Sequence, residues 1–204
     1  MSGHLGERRN RHVALVTEDF RLYHRLVPFL ESCGLRILGL RPADEVPSSV
    51  QVLLGGPLED PRSIAIRDDD EATLLAVYTA IDRRPGAAGY RRVVFGVDPG
   101  KVIGLAVLAD EECLLVGESR SVEAAVERVV AWASGVTATR WEVHVGDGSP
   151  AEGRALVAAL RERLPQADVR LVREHDTTPF SPVSGSRHTD AAWHIAMRRP
   201  EDRP

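Results

Sequence analysis

Acids standing at the ends of expected strands and helices are the residues most able to do chemistry in this chain. The first is Asp98, set within the apolar run Val93-Val94-Phe95-Gly96-Val97-Asp98-Pro99-Gly100-Lys101-Val102-Ile103-Gly104. Val, Phe and Val around it favour a strand, and Pro99-Gly100 marks a turn directly after it. A buried carboxylate is costly without compensation. An acid here therefore coordinates a cation, binds a hydroxyl or caps the turn. Lys101, in the same turn, is the only lysine of the chain. Asp147 follows in Gly146-Asp147-Gly148-Ser149-Pro150, then Glu174 and Asp176 in Arg173-Glu174-His175-Asp176-Thr177-Thr178, then Asp190 in Ser186-Arg187-His188-Thr189-Asp190-Ala191-Ala192. If these acids converge, their like charges raise one another's pKa unless a cation sits between them. Oxygen-only ligands suit Mg²⁺ or Mn²⁺. Two such ions can clamp the attacking and leaving oxygens of phosphodiester hydrolysis. Each acid also has a plainer reading. Asp147 serves as a loop or N-cap residue, Glu174 as a solvated loop acid, and Asp190 as a favourable charge in an early helix turn.

The elements that must position these acids follow from the apolar periodicity. Strands are expected at 12–17, 35–40 and 50–54, with a short one at 63–66. Helices are expected at 20–33, closed by Cys33-Gly34, and from the acidic run Asp68-Asp69-Asp70-Glu71 through about Ile81. This β-α-β-β-α pattern describes a small α/β, half-Rossmann-like domain over 1–82. Arg83 to Gly89 forms a linker. Strands then follow at 91–98, 102–109 and 112–117, a helix at 121–134, a strand at 141–146, a helix at 150–164, a strand at 168–173, a polar loop at 174–185 and a helix at about 187–198. Three meander strands followed by α-β-α-β-α is the order of an RNase H-like domain, here spanning 90–198. The Arg- and Pro-containing tail, 199–204, is expected to be disordered.

Composition narrows the function class. The chain has 204 residues and a formal net charge of −4. Residues 1–90 carry 11 basic and 13 acidic side chains, and residues 91–204 carry 15 and 17. No bulk basic charge marks a nonspecific nucleic-acid binder. Cys33 and Cys113 are isolated and lack zinc or redox spacing, as in structural thiols. Residues 1–11 are polar and basic, unlike a signal peptide, and no apolar run is long enough to span a membrane. The expected compartment is the cytoplasm.

Residues 96–107, from Gly96-Val97-Asp98-Pro99-Gly100 to Ala106-Val107, resemble the opening motif of RuvC/YqgF nucleases of the RNase H-like superfamily. Arg173-Glu174-His175-Asp176-Thr177-Thr178 is similar to the Asp-Glu-Arg-x-Thr-Thr block of the YqgF branch, with Arg173 where the first acid is expected. Asp190-Ala191-Ala192 resembles the superfamily's last-helix motif. The resemblance covers about 91–198. It implies a metal-dependent endonuclease acting on structured DNA, such as a Holliday junction, or on RNA. Asp98, Asp190 and either Asp147 or Glu174 would then hold Mg²⁺ or Mn²⁺ as catalytic residues. Lys101, Arg173, Thr177, Thr178, Arg187 and His188 would contact the substrate. A branched substrate suits a homodimer, and roles in DNA repair and recombination would follow.

The resemblance equally admits a non-catalytic RNase H-like module in a nucleic-acid-processing assembly. An actin-like ATPase or sugar kinase shares the strand–Asp-x-Gly turn but needs a second such domain. The first domain reads as an accessory or interaction module. Glu18-Asp19 after its first strand resembles a receiver domain, yet Leu54-Gly55-Gly56 stands where the phosphate-accepting aspartate is expected. No Gly-x-Gly-x-x-Gly follows that strand, which argues against a dinucleotide site.

Overall fold

The computed structural model describes residues 11–173 and 186–198. The chain divides into two compact units, Met1–Ala87 and Ala88–Pro204, each with its own sheet.

In the first unit the order is β1 (His12–Val16), α1 (Phe20–Ser32), β2 (Arg36–Leu40), β3 (Val52–Leu54), β4 (Ser63–Ile64) and α2 (Asp70–Asp82). The four strands are parallel and run β2-β1-β3-β4 across the sheet. Val13, Ala14, Leu15, Leu53 and Leu54 are fully or almost fully buried, the near-continuous apolar pattern of a parallel sheet. Asp19 starts α1 by accepting hydrogen bonds from the backbone N–H groups of Arg21 (2.8 Å) and Leu22 (3.2 Å). Gly34, at φ 81°, ends it in the left-handed region that glycine tolerates best. The two helices pack against each other and so share one face of the sheet. The Tyr78 hydroxyl of α2 donates to the Cys33 carbonyl at the end of α1, at 2.5 Å. Burial pushes the Cys33 thiol up to about 11, which keeps it protonated and inert. The opposite face carries a smaller cluster of Ala14, Val16, Val50 and Leu53, with Leu40 and Val46 against it.

The second unit contains β5 (Tyr90–Asp98), β6 (Ile103–Ala109), β7 (Glu112–Ser119), α3 (Val122–Gly135), β8 (Ala138–Gly146), α4 (Pro150–Arg163), β9 (Asp168–Val172) and α5 (Arg187–Ala196). Its sheet runs β7-β6-β5-β8-β9. β5, β6 and β7 pair antiparallel, and β8 and β9 join β5 in parallel. Alternation along β5 and β8 sends Val93, Phe95, Val97, Val143 and Val145 to one face. The other face receives Val94, Gly96, Asp98, Glu142, His144 and Gly146, and α5 lies on it.

The approach of α5 is set by absent side chains. A Cβ on Gly96 would strike the Ala192 carbonyl and crowd Ala196, and a Cβ on Gly104 would strike the His188 carbonyl. Two glycines on neighbouring strands and two alanines on one helix stripe let backbone lie against backbone. Ala192 and Ala196 then complete an apolar cluster with Val94, Ala106 and Leu108, covered by Trp193.

Candidate functional site

Two places carry polar groups that could act: the strand ends of the first unit, and the α5 face of the second.

At the carboxyl edge of the first sheet, β1 leads through Thr17 into exposed Glu18 and Asp19. Asp19 spends its carboxylate on capping α1. β3 ends in Leu54, which is 0% exposed. Gly55 follows at φ +74°, and a Cβ there would sit 3.0 Å from the Val16 carbonyl oxygen. Neither position can present a carboxylate to solvent without burying a charge or straining the backbone. The end of β3 thus carries no acid that could receive a phosphoryl group.

On the second sheet, Asp98 lies at the carboxyl end of β5, opposite Gly104 of β6. Its Oδ2 is 3.4 Å from Nδ1 of His188 in the first turn of α5. The Ser186 side chain caps α5, bonding the N–H groups of His188 and Thr189, and its hydroxyl donates to Glu118 on β7. Asp98 and Glu118 thus place two carboxylates against the start of α5, where the helix dipole favours negative charge. Asp147 lies exposed just beyond β8, while Lys101, Arg173 and Arg187 are exposed after β5, after β9 and at the start of α5.

Asp190, expected beside Asp98, sits in the first turn of α5, one turn before His194. Thr189, Ala192, Ile195 and Ala196 form the buried stripe of α5. Asp190 lies beside that stripe, and its Oδ1 is buried without a hydrogen-bond partner. His188 reaches Asp98. Among the described residues no group of three or more His, Cys, Asp or Glu side chains could hold a metal ion. Glu174, Asp176, Thr177 and Thr178 lie outside the described residues.

Sequence reasoning missed the densest polar cluster of the unit. Glu142 is 1% exposed and His144 is 0% exposed. Arg92 grips Glu142 bidentately, Nε to Oε1 at 2.7 Å and Nη2 to Oε2 at 2.9 Å. Arg140 adds an ion pair to Oε1 at 2.9 Å, and Arg170 Nη2 donates to Oε2 at 2.9 Å. Burial alone would raise the Glu142 carboxyl. The hydrogen bonds and charge of Arg92, with the charge of Arg140, overcome it and hold the group at about 2, well below its ordinary 4.5. The available signal was the strand Trp141-Glu142-Val143-His144-Val145, whose two polar residues face one side.

Among the described residues no helix is long and apolar enough to cross a membrane. No curated protein matches the chain. The likeness to RuvC/YqgF nucleases, and with it the expected endonuclease, repair and recombination roles, is corrected. The family model that matches describes a signalling domain, not a nuclease. What the chain is similar to, over residues 12–83, is a response regulator receiver-like domain.

Proposed function

We propose that this chain is a regulatory protein that works through binding contacts and not through catalysis. Its receiver-like unit operates without phosphorylation, and its second unit serves as a non-catalytic RNase H-like module in a nucleic-acid-processing assembly. The observation that carries this reading is the end of β3. There a fully buried Leu54 and a left-handed Gly55 occupy the place of the phosphate-accepting aspartate. The parallel β2-β1-β3-β4 sheet and the family match over 12–83 support a receiver-like unit. The order β7-β6-β5-β8-β9, antiparallel in its first three strands and parallel in its last two pairings, supports the RNase H-like reading. Exposed Lys101, Arg173 and Arg187 follow β5, follow β9 and open α5. They support a partner that carries phosphates.

The test is incubation of the full chain with acetyl phosphate and Mg²⁺, followed by intact mass measurement and peptide mapping. The expected result is an unchanged mass. An acyl phosphate mapped to residues 12–83 would refute the proposal. In parallel, a labelled four-way DNA junction with Mn²⁺ is expected to stay intact, whether or not it binds.

A further inference from the structure

Beneath α5 a buried titratable side chain bonds the backbone of the helix. Nδ1 of His144 lies 3.1 Å from the Ile195 carbonyl oxygen in the last turn of α5. A carbonyl oxygen only accepts, so Nδ1 carries a hydrogen. A guanidinium nitrogen only donates, so Nε2, 2.6 Å from Arg170 Nη2, is bare and accepts from it; Arg170 Nη2 also donates to Glu142 Oε2 at 2.9 Å. Nε2 also lies 3.0 Å from that Glu142 oxygen.

The charged groups around the imidazole come from three strands: Glu142 on β8, Arg170 on β9 and, on the far side of Glu142, Arg92 on β5 and Arg140 on β8. The titratable groups of α5 are His188, which lies against Asp98, and Asp190 and His194, of which Oδ1 and Nε2 are buried without a hydrogen-bond partner. Three guanidinium groups thus meet one carboxylate. Nε and Nη1 of Arg170 are buried without a hydrogen-bond partner, so no second acceptor offsets its charge. Glu142 favours a cationic ring, but burial and the Arg170 charge outweigh it, so the neutral ring is favoured.

We propose that His144 is an acid-operated latch for α5. A proton taken up on Nε2 ends its bond from Arg170, sets two cations against each other in a closed space and frees the last helical turn from the sheet. Burial, reinforced by the Arg170 charge, depresses the imidazole below its ordinary 6.5, so the latch is closed at neutral pH. The sign follows from linkage. The undocked ring takes up protons below 6.5 and the docked ring resists them, so docking weakens as pH falls below that value.

Hydrogen exchange on the full chain at pH 7.5 and pH 5.0 tests this, with protection factors corrected for intrinsic exchange. The expected result is at least a tenfold loss of protection over 192–196 at the lower pH, with β5 and β8 changing less than threefold. In His144→Gln, whose amide can still donate to Ile195, that pH step should vanish. In Arg170→Met the step should persist but move to higher pH, because the opposing cation is gone. No loss over 192–196, an equal loss throughout the unit, or a full step retained in His144→Gln would overturn the latch. If His144→Gln fails to fold, the Arg170→Met shift and an NMR titration of the His144 ring decide the matter.

Discussion

Glu142 is the residue on which the second unit's polar face turns. It is the single carboxylate that Arg92, Arg140 and Arg170 share. Glu142→Ala leaves those cations facing one another under α5, and removal of one partner from a buried ion cluster costs about 3–5 kcal/mol. Urea unfolding should show this as a large fall in midpoint. The carboxyl sits at about 2 in the native state against an ordinary 4.5. The unfolded chain therefore binds its proton first as pH falls, and the stabilisation is complete above about 4.5 and lost toward about 2. Stability measured from pH 5 to 3 should fall more steeply in the native chain than in Glu142→Gln. Asp98 has a smaller part. Its contact with His188 is 3.4 Å long and partly exposed, so Asp98→Asn should change stability by less than about 1 kcal/mol. A larger loss in thermal unfolding would mean that Asp98 anchors α5 more firmly than its geometry implies.

At the scale of elements, much of the fold is legible in the residues themselves. The apolar run Val93-Val94-Phe95-Gly96-Val97 and the apolar stripe of 122–135 mark β5 and α3 within a few residues of where they form. Asp19, Asp69, Ser121 and Ser186 start their helices as cap residues should. What lies between distant elements is not legible. Nothing local in Gly96 and Gly104 states that a helix backbone rests on them; that requires knowing that α5 returns across β5 and β6. Reading Asp190 onto the sheet follows from its nearness to Ala191-Ala192. The buried stripe of α5 runs through Thr189, Ala192, Ile195 and Ala196, and Asp190 lies beside it with one carboxylate oxygen buried. Glu142 and His144 look like the wet side of a half-exposed strand, and only α5 makes that side dry. The glycines give the sharpest check at this scale. Gly96→Ala and Gly104→Ala should each cost about 1–3 kcal/mol or more, because the new methyl meets rigid backbone. Gly100→Ala, whose Cβ would lie 3.3 Å from the Val102 carbonyl, should cost clearly less in the same unfolding assay.

At the scale of the whole molecule, two compact units meet at residues 87 and 88, and exposed Arg83 and Arg84 lie just before that boundary. Trypsin should cut first after Arg83, since Pro85 blocks the bond after Arg84, and release a fragment from residue 84 onward that keeps its own cooperative unfolding transition. Fragmentation inside β5 to β9 at the same rate would mean that the second unit is not stable by itself. The first unit has the parallel order of a receiver-like domain, yet its β3 ends on Leu54 and Gly55. In the proposed function this unit is recognised as a shape and is not switched by an acyl phosphate. The most direct measurement of that claim is a ¹H–¹⁵N NMR spectrum of the full chain with and without beryllofluoride and Mg²⁺, the stand-in for a phosphorylated aspartate. The account predicts no shift at residues 16–20, 54–58 or 64–68; saturable shifts confined to those loops would contradict it.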